Sequence, residues 1–406
     1  MPDVGTLLNT LRSPSGVDFY PVVIQILMVL TWAIHMFFIN LVIGSMFLTV
    51  YGYFQKDLRW RHLSQKLIKI AIISLSLGIV FGVAPLLFTQ TIYDNLWYTA
   101  NNLSAAWVVT FVPVVIVAYY AAYFFYFRNK DRSPIWLAIF PIFSLLLILL
   151  AGSIMHIFSY QELFPDQWIN WYTNNGTTMN TDGWHIYAFS VPRFLLFIFL
   201  SFFVLGIFLK GYAWFFGKRT DMDQNEVAWF GTVGHKVAVV SGGLLVADAI
   251  LYNILQGTMM HPVIWGTVGF VAIVWALLIA WGNRTMSWTV PTLVILAGLS
   301  DLSVGIMREA IRMIELAQYQ HTIYDYPLNM DIFGPIFFFG TLFVGIAIFS
   351  FVLYVLYKGG RVAGVYEASK VEPANTAWRM AWYAVVMWLV VFWGTGVIVL
   401  SQLNNF

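Results

Sequence analysis

The sequence predicts an all-α membrane protein: a polytopic bundle of about ten transmembrane helices that forms one integral membrane domain over residues 1–406. Hydrophobic residues make up 60% of the chain and charged residues only 10%, whereas a soluble domain carries about 25% charged residues. Apolar stretches long enough to cross a bilayer recur along the whole chain. Lysine and arginine concentrate in alternate connections between these stretches, as the positive-inside rule requires.

Each predicted span contains about 20 or more mainly apolar residues, which is the length of helix that crosses a bilayer. Several spans exceed this minimum, which indicates tilted helices or helices that project beyond the lipid. In chain order, the predicted spans are 20–54, 67–93, 103–127, 134–158, 187–217, 229–256, 262–282, 286–313, 332–357 and 378–402.

The connections between spans predict the orientation of the chain. Connections 94–102, 159–186, 257–261 and 314–331 hold almost no lysine or arginine. Those that follow odd-numbered spans are basic: Lys56, Arg59, Arg61, Lys66, Arg128, Lys130, Arg132, Lys218, Arg219, Arg284, Lys358, Arg361 and Lys370. Since basic connections stay in the cytoplasm, we expect both termini on the outer side of a prokaryotic cytoplasmic membrane.

Three segments are expected outside the lipid on the outer side: 1–19, 159–186 and 314–331. The second is rich in tryptophan and glycine, which favours an ordered aromatic cap that could dock a partner. The alternative for this segment is an interfacial helix that rests on lipid headgroups.

Composition also excludes several classes of function. The chain has no cysteine, so it can hold no disulfide, no iron–sulfur cluster and no covalently attached c-type haem. A formal net charge of +2 argues against a nucleic-acid partner. No Walker, Rossmann or HExxH motif is present, and no two halves share matching broken spans of the kind that mark secondary transporters.

The eighth predicted span ends in a charged stretch, DLSVGIMREAIRMIE, which carries Asp301, Arg308, Glu309, Arg312 and Glu315. Charges at membrane depth are costly, so they face the bundle interior and are paired. Helical spacing puts a carboxylate and two guanidinium groups on neighbouring faces. This set could receive an anionic, metal-bearing ligand. The alternative is an internal ion-pair network that locks two helices together, or a helix end at the outer surface.

Two histidines and two carboxylates are further candidates at membrane depth. His35 lies near the middle of the first span, where it is either an axial ligand of haem iron or a hydrogen-bonding residue between helices. His156 ends span four on the outer side, where it is either a hydrogen-bonding residue at the interface or a haem-binding residue that meets His35 and the charged stretch in the outer half of the bilayer. Asp248 and Asp301 either pair with Arg308 or Arg312 or belong to a proton path.

Short motifs in three spans are similar to the large, haem-bearing subunit of cytochrome bd quinol oxidases. HMFFINLVIG, with His35, resembles the family's HFLFVPLTLG helix, and AGSIMH, which ends at His156, resembles its ANSWMQ segment. EAIR, from Glu309 to Arg312, falls where the family has EYGR. This resemblance implies that His35 and Glu309 are haem ligands and that Arg312, with Arg308 as an alternative, binds haem propionates. It also implies noncovalent b-type haem, in one or two copies.

The departures from the family pattern narrow the expected function. PRFLLFIFLS and PVIWGTVGF lack the histidine and methionine that hold the family's low-spin haem. The connection Gln256–Pro262 is too short for its quinol-binding loop, and Thr110 and Ala118 replace the glutamates of its third span. We therefore expect a bd-like subunit of a membrane oxidoreductase that exchanges electrons with an extracytoplasmic cytochrome c or another membrane subunit.

Three versions of the function stay open. The fullest is a quinol-independent oxygen reductase, with Asp248 and Asp301 on its proton path. A haem-free structural or anchor subunit of a respiratory complex is the alternative. A proton-coupled transporter that uses Asp248, Asp301 and Arg308 is the third.

Overall fold

A computed structural model describes residues 3–131, 133–284, 287–330 and 333–403. These residues form helices and connecting loops, with no β-strand among them. Arg132 and the edges of several expected segments, at residues 1–2, 286, 331 and 332, lie outside the described ranges. The helices are α1 (Val4–Thr10), α2 (Pro21–Tyr53), α3 (Leu58–Ile92), α4 (Asp94–Leu103), α5 (Ala105–Arg128), α6 (Ile139–Gln161), α7 (Trp168–Tyr172), α8 (Val191–Phe216), α9 (Gln224–Leu255), α10 (Pro262–Trp281), α11 (Thr289–Ala317), α12 (Phe333–Gly360) and α13 (Ala374–Leu403).

Ten of the helices in these ranges are long and apolar enough to cross a membrane: α2, α3, α5, α6, α8, α9, α10, α11, α12 and α13. A 3₁₀ turn at Ile135–Ala138 extends the α6 span at its beginning. The prediction of an all-α bundle of about ten spans is therefore confirmed, and the chain is a multi-pass membrane protein.

The second span differs most from its predicted bounds, because α3 begins nine residues before the expected start at residue 67. Asp57 is the N-cap of this helix, and its carboxylate accepts a hydrogen bond from the Arg59 backbone N–H at 3.0 Å. An N-cap of this kind satisfies a backbone donor that would otherwise be free, which favours helix initiation there. Arg59, Arg61 and Lys66, expected in the connection, thus lie in the first turns of α3. The helix projects beyond its apolar stretch.

The α6 and α11 helices also run further than expected, to Gln161 and Ala317. Their last turns carry polar side chains that find partners within the protein. In α11, for example, Glu315 accepts a hydrogen bond from Gln256 at 2.9 Å. The outer loops that were expected to begin at residues 159 and 314 are therefore shorter by about one helical turn each.

Three apolar cores include residues of α2. The largest joins α2 to α8, α9, α10, α11 and the start of α3, and the second joins α2 to α3, α5 and α6. Glycine allows close approach where helices cross: a Cβ atom at Gly44 would lie 2.9 Å from the Ser201 carbonyl oxygen of α8. Small residues at crossings are typical of helices that pack in lipid, where van der Waals contact drives association.

The last two spans form a hairpin that packs mainly on itself. None of the residues described in α12 is buried. The hairpin contacts the bundle through aromatic pairs, such as Phe88 with Phe338 at 5.6 Å and Phe81 with Phe349 at 6.1 Å between ring centroids. Its exposed apolar side chains suit contact with lipid.

The ends of α6 and α11 and the start of α2 lie at one end of the bundle, which we call the charged end. A cap of loops and short helices covers it. Val17 and Leu328 form an isolated parallel bridge there, in which the Val17 N–H donates to the Pro327 carbonyl at 2.9 Å. In the 159–186 segment, the buried Trp168 donates to the Gln161 carbonyl at 3.0 Å.

Candidate functional site

The charged stretch of α11 lies inside the bundle at the charged end. Arg312 is almost fully buried and makes two ion pairs, one with Glu309 at 3.2 Å and one with Glu162 at 3.1 Å. Glu309 lies three residues before Arg312 on the same helix, whereas Glu162 follows the last residue of α6. The guanidinium carbon of Arg312 also lies 4.4 Å from the centroid of the Tyr93 ring. Arg312 therefore holds two helix ends together through buried charges.

The second oxygen of Glu309 is also occupied. Oε1 accepts hydrogen bonds from the Gln25 side-chain amide at 2.7 Å and from the Tyr93 hydroxyl at 2.5 Å. The Tyr324 hydroxyl donates in turn to Oε1 of the Gln25 side-chain amide at 2.7 Å.

These contacts match the alternative that the sequence left open, an ion-pair network that locks helices together. The network contains three residues that were not among the predicted candidates: Gln25, Tyr93 and Glu162. Glu162 lies only four residues beyond the expected end of span four, on the same predicted side as Arg312. Their location on the same side of the membrane is the one feature of the sequence that could have suggested the Glu162–Arg312 pair.

A small cavity lies next to this network, between α6, α8, α9 and α11. It measures about 20 Å³ and is lined by Arg193, Arg308, Arg312, Tyr252 and Ser159, together with apolar side chains. By the usual criterion, a cavity of about 10–15 Å³ holds one water-sized ligand. The cavity is therefore too small for a porphyrin.

His35 points away from the charged stretch, towards α3. Its Nδ1 lies 2.8 Å from the Gly78 carbonyl oxygen, so Nδ1 carries the proton and donates. A Cβ atom at Gly82 would lie 2.8 Å from the imidazole ring, so glycine at this position makes room for the histidine. Nε2 has no hydrogen bond to any residue that the structure describes.

The structure does not bring His35 and Glu309 together. Gln25 of α2 touches Glu309 directly, and His35 lies ten residues further along the same helix. At 1.5 Å per residue, that is about 15 Å along the axis. One iron cannot bind both side chains over this distance. If both residues bind haem iron, they do so at two separate sites.

His156 also lies apart from His35. Its Nε2 accepts a hydrogen bond from the Ser190 backbone N–H at 3.2 Å, and its ring packs on Phe189 with the centroids 4.5 Å apart. Its ring also stacks on Tyr160, with the centroids 5.9 Å apart. The lone pair of Nε2 is thus already used for a structural contact, and His35 is the better candidate for a metal ligand.

The two intramembrane aspartates do not pair with the arginines. Asp301 is fully buried and accepts a hydrogen bond from the Asn40 amide at 2.6 Å, while Asn40 accepts one from the Ser201 hydroxyl at 2.9 Å. Asp248 is also buried and has one side-chain oxygen, Oδ2, without a partner among the described residues. The sequence pattern could not identify Asn40 as the partner of Asp301, or Ser201 as the partner of Asn40, because the three residues belong to different helices.

The donor set determines which metal group could fit. In the described ranges, no three histidine, aspartate or glutamate side chains gather as a site for a free metal ion. A single histidine with a free Nε2 fits haem, whose porphyrin supplies the other iron ligands. Donation from the other ring nitrogen to a backbone carbonyl is the usual way in which a metal-binding histidine is oriented. Glu309 fits less well, since both of its oxygens already accept hydrogen bonds.

A comparison with protein-family models and with curated protein sequences finds no match for this chain.

Proposed function

We propose that this chain is a bd-like membrane subunit that binds b-type haem noncovalently and exchanges electrons with a partner. The observation that carries the proposal is the imidazole of His35, oriented by the Gly78 carbonyl with Nε2 left free. Bound haem would supply one-electron chemistry, and Nε2 of His35 would hold its iron. Gly78 would keep the imidazole in the tautomer that this bond needs.

The resemblance of the His35 helix to the bd family supports the same assignment. The proposed partner is an extracytoplasmic cytochrome c or another membrane subunit of a respiratory complex in a prokaryotic cytoplasmic membrane. Oxygen reduction, in the fuller version, would also need protons. Asp301 and Asp248 are the buried acids that could carry them.

A haem-free anchor subunit is the second candidate, and a different observation favours it. Helices α2 and α11 are in direct contact along the face where haem between them would lie. A Cβ atom at Gly305 would be 3.0 Å from the Trp32 ring, and Gln25 and Asn40 hydrogen-bond to Glu309 and Asp301 across the same contact. On this face, Glu309 and Arg312 of α11 pair with each other without a cofactor.

A haem assay on the purified full-length protein separates the two candidates. We expect a reduced-minus-oxidised spectrum of b-type haem and a positive pyridine haemochrome test for the wild type. His35→Ala should lose the haem absorption, because the iron loses its protein ligand. His185→Ala is the matched control, since that histidine is exposed in a loop.

The Glu309→Gln variant tests the arrangement of the site. Glu309 binds Gln25, which precedes His35 by about 15 Å along the axis of α2. This variant should therefore keep the absorption that depends on His35. Wild-type protein without haem would leave only the anchor function. Equal haem content in wild type and His35→Ala would reject His35 as the ligand.

A further inference from the structure

The cavity beside the charged network has an imbalance of charge. Arg193, Arg308 and Arg312 all line it, whereas Glu162 and Glu309 are the carboxylates in contact with this group, and both pair with Arg312. Three positive groups therefore face two negative ones in the bundle interior. A charge without a counterion is costly at membrane depth, so a further anion is expected there.

Neither Arg193 nor Arg308 forms an ion pair among the described residues, and Arg193 bonds only to a backbone carbonyl. The Arg308 guanidinium carbon lies 5.4 Å from the centroid of the Trp32 ring, and Arg308 makes no hydrogen bond to any residue that the structure describes. Neither of the other two acids of α11 forms an ion pair with Arg308: Asp301 accepts from the neutral Asn40 amide and Glu315 from the neutral Gln256 amide. A cation–π contact offsets only part of the cost of burying a guanidinium group.

A second feature points into the same cavity. Tyr252 is 97% buried (3% exposed) and lines the cavity, yet its hydroxyl has no hydrogen-bond partner among the described residues. Ser159 adds a further hydroxyl to the lining, and its carbonyl oxygen accepts a hydrogen bond from Arg193 at 3.1 Å. Buried hydroxyl groups nearly always have a partner. The unpaired Tyr252 hydroxyl therefore indicates a ligand that accepts hydrogen bonds.

We propose that this cavity binds one monovalent inorganic anion of the size of chloride. The guanidinium groups of Arg308 and Arg193 neutralise it, and the Tyr252 hydroxyl donates a hydrogen bond to it. The small volume, about 20 Å³, suits a single small ion. Water would satisfy the hydroxyl but leave Arg308 without a counterion. The proposal is independent of haem binding.

Thermal unfolding of the full-length protein in nonionic detergent tests the proposal. With gluconate as the starting anion and constant ionic strength, added chloride or bromide should raise the unfolding midpoint in a saturable way. The expected rise is about 2–4 °C at concentrations far above the dissociation constant, because the anion binds only the folded state. Bromide should also give an anomalous diffraction peak between Arg308 and Tyr252.

Two variants and a control identify the site. Arg308→Gln should abolish the halide effect and should unfold at a higher temperature than the wild type in halide-free buffer, since it removes the uncompensated charge. Tyr252→Phe should need about tenfold more chloride, the loss expected for one hydrogen bond to a charged group. Arg59→Gln removes an exposed guanidinium and should respond like the wild type.

A wild-type midpoint that does not change with halide would overturn the proposal, and so would an Arg308→Gln protein that keeps the full response. If Arg308→Gln does not fold, the Tyr252→Phe titration decides. An unchanged chloride requirement in that variant would assign the cavity to water.

Discussion

At the scale of single residues, Arg312 makes two buried ion pairs. It is the shared cation of two buried carboxylates, Glu162 and Glu309, which belong to the ends of different helices. Buried ion pairs gain little over apolar packing, but removal of one partner leaves the other charge uncompensated. The network is therefore most sensitive at its single shared member.

We expect Arg312→Met to lower the free energy of unfolding by about 3–5 kcal/mol, because two carboxylates lose their cation in a water-free interior. SDS titration of the protein in mixed micelles measures this change. Arg59→Met is the control, since the Arg59–Asp57 pair is exposed and such pairs contribute little to stability. Similar losses in the two variants would show that burial adds nothing to the Arg312 pairs.

A second residue-scale prediction concerns the loop that follows α11. Arg12 donates to Nδ1 of His321 at 3.0 Å and to the Thr322 carbonyl at 2.7 Å, so His321 must be neutral with its proton on Nε2. Burial, together with the positive charge of Arg12, lowers the pKa of His321 to about 4. The unfolded chain, with a histidine pKa of about 6.5, therefore binds a proton that the folded protein excludes.

Because the folded pKa is depressed, this histidine costs no stability above about pH 6.5, and the protein loses stability as the pH falls from about 6.5 to about 4. At pH 4.5 the loss from His321 alone should be about 2–3 kcal/mol. Asparagine at this position can accept from Arg12 but does not titrate. The difference in unfolding free energy between wild type and His321→Asn, measured from pH 7 to 4.5, isolates the effect; a difference that stays constant with pH contradicts it.

At the scale of helices, the crossing of α8 and α9 depends on two glycines that face each other. A Cβ atom at Gly206 would lie 2.6 Å from the Gly234 carbonyl oxygen, and one at Gly234 would lie 2.5 Å from the Gly206 carbonyl oxygen. Both contacts are with backbone atoms, so no rotation of a side chain can relieve them. The two helices would have to move apart.

Gly206→Ala should therefore destabilise the protein by about 1–3 kcal/mol, the usual cost of overpacking. Gly298→Ala is the matched control: that glycine lies in α11 with no atom near its Cβ position, and alanine there should stabilise the helix by up to about 1 kcal/mol. Unfolding in mixed micelles compares the two. Equal stability of both variants would mean that the crossing has room to relax.

The helices themselves follow from the sequence, because in lipid every backbone group must be paired within its own segment. The start of α3 is harder to predict. The basic residues after Asp57 resemble a cytoplasmic connection in the sequence, but in the structure they form the first turns of a helix that Asp57 caps. Helix neighbours are harder to predict than helices. Which helices are neighbours depends on local shape, such as the space that Gly44 leaves for α8. Such local shape produces no periodic pattern in the sequence.

At the scale of the whole molecule, the sequence predicts the charged residue of a buried pair but not the residue that binds it. Membrane-depth charges such as Arg312 stand out against an apolar background, whereas their partners are ordinary polar residues near span ends or on other helices. Asn40, which binds Asp301, is an example. Predicting the pairs would require the order of helices around α2, and this order depends on tertiary packing.

The orientation of the bundle is a property of the whole chain and stays a prediction of the positive-inside rule. The absence of cysteine makes it directly testable, since any introduced thiol is the only one in the protein. Met179 lies in the loop before α8, and Val365 lies in the basic connection between α12 and α13. Both side chains are well exposed, at 70% and 88%.

In intact cells, a membrane-impermeant maleimide should label Met179→Cys and should leave Val365→Cys unlabelled until the cells are lysed. The physical reason is that Lys358, Arg361 and Lys370 hold their connection on the cytoplasmic side. Labelling after lysis controls for accessibility of each thiol. The reverse pattern would invert the bundle and turn the charged end, with His321 and Arg312, towards the cytoplasm. An extracytoplasmic electron donor would then be excluded.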